Sequence, residues 1–410
     1  MKNIFVILDG ASGRNNEFKN QSSLEAAKMP NLDYFAKEGV CGLVRTVGVG
    51  IAPESDVAVV SLLGYDYRKY FTGRGPFEAY GAGIRLKKPF VAFRTNFATV
   101  KDGQIVERRA GRTLTTKEAK GLAKAINEEV ILPCKFDFKS TIGHRGILVF
   151  YGNYLPDVSN IDPAYKMKGK FGVASYSKKK KLKEAKALKK GSEMTACLLN
   201  SFVNQSIKIL NDHQINKKRI KRGLLSANLI LPRDAGNNLP KFPQKKGWAA
   251  VVSMPLEIGI ADLAGMDILK FDYPECKTRN VYKFLYQGLN KTIEASLDAL
   301  NNKWDKYNSF YLHFKECDIP GHDGLPAEKM KMLELIDKNF FSKLKKFTNF
   351  KLIVTSDHAT PCKLKAHSSD PVALLLYDGK RKDKVQSFSE RACKKGKIGI
   401  ILGKNVLKLL

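Results

Sequence analysis

The chain has 410 residues, 43% of them hydrophobic, seven cysteines and a formal charge of +31. That length implies two domains, no apolar run reaches the roughly 20 residues of a membrane span, and MKNIFVILDG lacks the longer apolar stretch of a secretion signal. The cytoplasm with no membrane partner is then the default expectation, and the cysteines, odd in number and scattered without a CxxC pair, argue against a disulfide framework or a structural zinc site and for reduced thiols.

In chain order, NIFVIL (3 to 8) reads as a buried strand that ends in Asp9-Gly10. GIAPESDVAVVSLLGY (50 to 65) follows as a Gly/Pro loop leading into an apolar run of helical spacing, with Ser55 at the helix start. Serine there is a preferred N-cap. The same position lets helix N–H groups attract a phosphate beside the hydroxyl. Both readings stand at this point.

From about Phe93 to Met254 the arginines cluster, in ERRAGR, HRG, NKKRIKRG and LPRDAG, and candidate metal ligands become sparse. A smaller inserted α/β domain over 93–254 is expected, splitting a first domain made of 1–92 and 255–410. The charge suggests anionic partners. Its densest block, KKKKLKEAKALKK (178 to 190), lacks the interleaved aromatics that stack bases, so a solvated lysine surface is preferred to a nucleic-acid tract.

Two more strands follow, SFYLHFKE (309 to 316) and KLIVTS (351 to 356). Pro320, Gly321 and Gly324 make the segment 317–324 read as a loop, and Asp357-His358 follow the last strand. Strand-like segments alternating with helical patterns indicate a mostly parallel sheet with helices on both faces. Chemistry in such sheets lies at the carboxyl ends of the strands.

Four of the six histidines fall within the 55 residues from His313 to His367, and His322, His358 and His367 lie in loops beside aspartates. Seven Asp and His groups are too many for one ion and suit two borderline divalent ions such as Mn²⁺, Zn²⁺ or Co²⁺. Taken singly, each has an ordinary alternative: Asp357 as a helix cap, His367 as a surface residue, His322 in a turn.

The stretches LDGASGR, PESDVAVVSLLGYD, YFTGRGPFEAYGAGI, AFRTNFATV, RRAGR, GHRGILVF, HFKECDIPGHDG and VTSDHATPCKLKAHSSDPVALLLY run nearly from end to end. In them the chain resembles the archaeal-type, cofactor-independent phosphoglycerate mutases of the alkaline phosphatase superfamily. The resemblance implies an alkaline-phosphatase-like sheet and interconversion of 3- and 2-phosphoglycerate in glycolysis and gluconeogenesis. It also implies a phosphoserine on Ser55 and no need for 2,3-bisphosphoglycerate. One metal would be held by Asp318, His322 and His367, and the other by Asp9, Asp357, His358 and Ser55. Manganese comes first, with zinc, cobalt or magnesium as alternatives. Arg112 and Arg233 would take anionic groups, and His144, Arg145 and Asp162 the glycerate. Closure of the insert onto the metal domain would keep water from the phosphoserine.

Val57, Val59 and Ala164 depart from the family pattern, as do Ser369 and Ala373, and they bear on substrate handling. A phosphomonoesterase or phosphotransferase for another metabolite is therefore the second reading. A lysine-driven binder of nucleic acid or membrane surfaces is the third. Oligomeric state is not legible.

Overall fold

The computed structural model describes residues 1–168, 171–174, 181–277 and 280–410. Its strands, in chain order, are β1 (Lys2–Leu8), β2 (Val40–Arg45), β3 (Phe90–Lys101), β4 (Gln104–Glu107) and β5 (Phe136–Ser140). Then come β6 (Arg145–Tyr151), β7 (Tyr165–Lys168), β8 (Phe171–Ala174), β9 (Leu229–Gly236) and β10 (Trp248–Val251). The last are β11 (Asp267–Ile268), β12 (Ser309–Phe314), β13 (Phe350–Thr355), β14 (Val372–Tyr377) and β15 (Gly399–Leu402).

The chain divides into two compact units, one of Met1–Tyr70, Lys241–Tyr273 and Leu285–Leu410, the other of Phe71–Pro240 and Pro274–Phe284. The first is built on an eight-stranded sheet in the order β11-β10-β12-β1-β13-β14-β2-β15. Strand β1 runs parallel to both neighbours, β12 and β13, and β14 is antiparallel to both of its own. The apolar run Ile4 to Leu8 is buried throughout, as a central parallel strand covered on both faces requires. Register aligns Leu8 with Phe314 and Ile7 with Thr355. The residues just beyond, Asp9, Lys315 and Asp357, therefore leave the sheet at one level.

The second unit is an antiparallel sheet centred on the long β3, with β6 then β5 on one side and β9 on the other. Asp102 (φ 48) and Gly103 (φ 69) turn β3 into β4, the two-residue Asp-Gly hairpin that positive φ at both positions allows. One side of this sheet packs into an apolar core with the helices Thr116–Glu129 and Glu193–Asp212.

The expected boundaries at 92/93 and 254/255 shift to 70/71 and 240/241. The helix Arg74–Gly81 belongs with β3: a Cβ on Gly75 would come within 2.1 Å of the Ala92 carbonyl oxygen, so only glycine permits that approach. At the other end β10 pairs with β12 in the large sheet. Segment Pro274–Phe284 also joins the second unit, where Cys276 exchanges hydrogen bonds with Thr116.

Residues 318–323, expected as a loop, form the helix Asp318–Asp323. Pro320 lies in the first turn, where a missing N–H costs no intrahelical bond, and Gly324 closes the helix at φ 74. The lysine block falls partly outside the described residues, at 178–180. From 181 to 190 it carries no helix and its lysines are exposed.

Candidate active site

Ser55 opens the eight-residue helix Ser55–Leu62, and the N-cap position belongs to Glu54, whose side chain makes no capping bond. The capping alternative for Ser55 is thus not the one adopted. Its Oγ lies 3.2 Å from His358 Nε2 and accepts from Lys315 Nζ at 3.2 Å. The departure positions Val57 and Val59 are buried in the same helix, turned into the core.

The strand ends bring the remaining candidates of the first unit together. Asp9 is fully buried, its Oδ2 bonded to Lys315 Nζ and, at 3.1 Å, to His313 Nε2. Because that carboxylate only accepts, His313 carries a proton on Nε2, and the Tyr311 hydroxyl donates a hydrogen bond to Nδ1 at 2.7 Å. Asp357 Oδ1 accepts from the backbone of Gly10 and His358. Asp9 Oδ1 and Asp357 Oδ2 are buried without a hydrogen bond and lie 3.5 and 3.3 Å from His358 Nε2. Three donor atoms thus converge on one point beside Ser55.

Asp318, His322 and His367 form an adjoining set. Asp318 Oδ2 is 3.3 Å from His322 Nε2, Asp318 Oδ1 is 3.7 Å from His367 Nε2, and the two Nε2 atoms face each other at 3.1 Å. The ring of His358 stacks on that of His367, with centroids 3.6 Å apart. His322 Nδ1 donates to the Lys365 carbonyl at 3.1 Å and His367 Nδ1 to the Pro53 carbonyl at 2.8 Å. Each imidazole therefore turns Nε2, the nitrogen left to ligate a cation, toward the other ring and Asp318.

The charges follow from burial and neighbours. Burial, then His367, pushes His358 down to about 3, so this ring is neutral and able to ligate. Burial opposes protonation of His367, yet Glu54 and Asp318 hold it well above the usual histidine range. Burial likewise opposes the Lys315 ammonium, but Asp9 and Glu257 outweigh it and raise the group; Glu257 Oε1 lies at 3.0 Å. The donor sets Asp9/Asp357/His358 and Asp318/His358/His367 each gather within 4.8 Å. Carboxylate and imidazole ligands with unbonded buried oxygens fit borderline divalent cations.

The second unit carries a separate cluster containing all five residues expected at the substrate. Asp162 is fully buried and held by Arg108 Nε and Nη2, at 2.6 and 2.5 Å. Arg233 lies 3.6 Å over the Tyr165 ring, 3.0 Å from Asp234, and pairs in register with Arg94. Glu78 accepts from Arg74 at 2.6 Å and stands 3.4 Å from Arg94. Burial, then Arg145 and Arg112, drives His144 well below the ordinary imidazole range. Burial, then Arg233 and Arg74, lowers even the Arg94 guanidinium to about 9. Cations crowded that closely favour an anionic ligand.

Sequence reasoning passed over Lys315, Glu257, Glu54 and Thr360 in the first unit, and Arg74, Arg94, Arg108, Glu78 and Tyr165 in the second. Lys315 had a signal: two positions after His313 on a strand, it shares that residue's face. Glu257, on the helix Pro255–Leu263, had none.

A mostly parallel sheet whose central strands deliver acidic and imidazole groups beside a helix-initial serine defines an α/β enzyme of the phosphoryl-transfer class. A family model described as 2,3-bisphosphoglycerate-independent phosphoglycerate mutase matches residues 36–216. The mutase of that name from Aeropyrum pernix is 38% identical over 98% of this chain and 97% of its own, and that from Picrophilus torridus 36% over 100% and 97%. A solved Pyrococcus horikoshii protein superposes with a TM-score of 0.75 at 28% identity, covering 100% of this chain and 96% of the other. The cofactor-independent phosphoglycerate mutase of Thermoplasma acidophilum does so with 0.58 at 30%, covering 100% and 99%. The chain belongs to the 2,3-bisphosphoglycerate-independent phosphoglycerate mutases, isomerases that interconvert 3- and 2-phosphoglycerate.

Proposed function

We propose that this mutase works through a phosphoserine on Ser55 and two divalent cations, in glycolysis and gluconeogenesis in the cytoplasm. The observation that carries the reading is the convergence of Asp9 Oδ1, Asp357 Oδ2 and His358 Nε2 beside the Ser55 hydroxyl. Asp318, His322 and His367 would hold one cation; Asp9, Asp357, His358 and Ser55 would hold the other. When bound, the pair supplies charge stabilisation for the attacking and leaving oxygens and lowers the pKa of the serine hydroxyl. Manganese is the ion of choice for this mixed donor set.

The chain's own groups do the rest. Lys315 Nζ donates to Ser55 Oγ and offsets the negative charge that develops there when the proton leaves. Ser55 Oγ gives up its proton and forms its bond to phosphorus as the bond to the glycerate 3-oxygen breaks, and that oxygen takes up one proton, so none is gained or lost overall. The glycerate turns while bound, and the 2-hydroxyl gives up its proton and takes the phosphoryl group back as the Ser55 O–P bond breaks and Ser55 Oγ regains a proton. Arg112, His144, Arg145, Asp162 and Arg233 hold the carboxylate, hydroxyl and phosphate groups of phosphoglycerate, with Arg74, Arg94 and Arg108 beside them. Seven cysteines outside any disulfide among the described residues support a reducing compartment, and no described helix is long and apolar enough to cross a membrane.

A proton NMR time course with 3-phosphoglycerate and Mn²⁺, without 2,3-bisphosphoglycerate, tests the reading together with an acid quench and peptide mapping. We expect 2-phosphoglycerate at equilibrium, little glycerate, and a phosphoryl group trapped on Ser55. Glycerate as the sole product, or an adduct on another residue, would overturn the mechanism.

A further inference from the structure

Each of the three clustered histidines has its Nδ1 engaged, but not in the same way. His322 and His367 donate to backbone carbonyls. His367 Nδ1 also lies 3.2 Å from Glu54 Oε1, whereas His358 meets a hydroxyl: its Nδ1 lies 3.0 Å from Thr360 Oγ1. That hydroxyl also stands 2.7 Å from Asp318 Oδ1. Threonine has one hydroxyl proton, and the Asp318 carboxylate can only accept it. The remaining bond must then run the other way, from His358 Nδ1–H to Thr360 Oγ1. The hydroxyl passes a hydrogen-bond direction from a ligand of one proposed cation to a ligand of the other.

The surrounding chain is built to hold this residue. Its N–H donates to the Ser12 carbonyl at 2.9 Å, and its own carbonyl accepts from Lys329 Nζ at 3.0 Å. Lys329 is fully buried and places a second bond on Ser12 O at 3.1 Å. Two glycines clear the space. A Cβ on Gly10 would come within 2.6 Å of Asp318 Oδ1 and 2.8 Å of Thr360 Oγ1, and one on Gly321 within 2.7 Å of the Thr360 carbonyl oxygen. Both would displace the bridge.

Resting on the two-cation reading above, we infer that Thr360 is a positioning residue that couples the two metal positions. Its hydroxyl holds His358 in the Nδ1-protonated tautomer, with the Nε2 lone pair aimed at Asp9, Asp357 and Ser55, and at the same time orients Asp318. Outer groups of this kind typically change metal affinity by about 10- to 100-fold when removed. Because one hydroxyl serves both ligands, both affinities change together.

The test is calorimetric titration of the metal-free full chain with Mn²⁺, for wild type, Thr360→Val and Thr360→Ser. Valine keeps the shape and removes the hydroxyl; serine keeps the hydroxyl. We expect Thr360→Val to weaken both binding events by about tenfold or more and Thr360→Ser to stay near wild type. Nitrogen-15 spectra of labelled histidine in the metal-free proteins should show His358 protonated on Nδ1 in wild type and a tautomer mixture in Thr360→Val. If Thr360→Val fails to fold, the Thr360→Ala and Thr360→Ser pair makes the same comparison. Unchanged affinities with an unchanged tautomer, or a loss at one position only, would overturn the coupling. A wild-type chain that takes up no Mn²⁺ would overturn the cation reading itself, whereas two tight sites in both wild type and Thr360→Val would leave that reading intact and remove only the role of Thr360.

Discussion

Lys315 shows how much a single side chain can decide. Its side chain is 15% exposed, and its ammonium touches Asp9, Glu257 and Ser55 at once. Replacing it by methionine leaves two buried carboxylates without their cation, at a cost of about 3–5 kcal/mol. Losing a donor aimed at a developing oxyanion should lower turnover at saturating metal by roughly a hundredfold or more. Melting curves and steady-state rates read the two effects separately, and a rate within twofold of wild type would remove Lys315 from the chemistry. Ser55→Ala should abolish turnover while shifting stability by less than about 1 kcal/mol, because the hydroxyl caps no helix. Retained turnover in that variant would end the phosphoserine reading. Glu78 provides a pH handle in the second unit. Burial alone would raise it, but Arg94 and Arg74 hold it at about 2, below its ordinary 4.5. A depressed carboxylate stabilises the fold above the unfolded value, and that contribution is lost as pH falls from about 4.5 to about 2. Glu78→Gln should therefore be destabilised at neutral pH and converge on wild type in acid; parallel stability curves across that window would refute the assignment.

Among the elements, the two short helices at the first unit's site owe their form to different things. Ser55–Leu62 is buried on every side, so its stability comes from packing. Asp318–Asp323 has almost no length to nucleate with, and it is held by its neighbours and by Gly324. Its Pro and Gly read as a loop in isolation, because composition does not reveal that the proline falls in a first turn. The helix Thr116–Glu129, by contrast, is self-announcing: Thr115 and Glu118 form a reciprocal capping box. Thr115→Ala should cost about 1 kcal/mol, seen as a lower melting temperature with Mn²⁺ affinity unchanged. A matching loss of metal affinity would mean that the two units are energetically linked.

For the whole molecule, the cations bear on stability as well as chemistry. Asp9 Oδ1 and Asp357 Oδ2 are buried without hydrogen bonds, so removing bound ions leaves repulsion and desolvation uncompensated. Prolonged chelation should abolish mutase activity and lower the melting temperature. Mn²⁺ at about a hundred times its Kd should restore about 2.7 kcal/mol for each site filled. A melting temperature indifferent to chelator would count against resident cations in the folded state.

The sequence by itself determined the three central strands and what lies at their ends. Period and composition expose buried parallel strands, and an Asp after each is legible wherever the strand stops. The histidine cluster was legible as well, since four such residues in one short window beside aspartates need no geometry to notice. Tertiary structure alone decided the partners. Glu257 meets Lys315, and Thr360 meets Asp318, only because strands distant in sequence lie side by side at one level. The unit boundaries were likewise a packing outcome: they rest on Gly75 against Ala92 and β10 against β12, contacts between different elements, which no local pattern encodes.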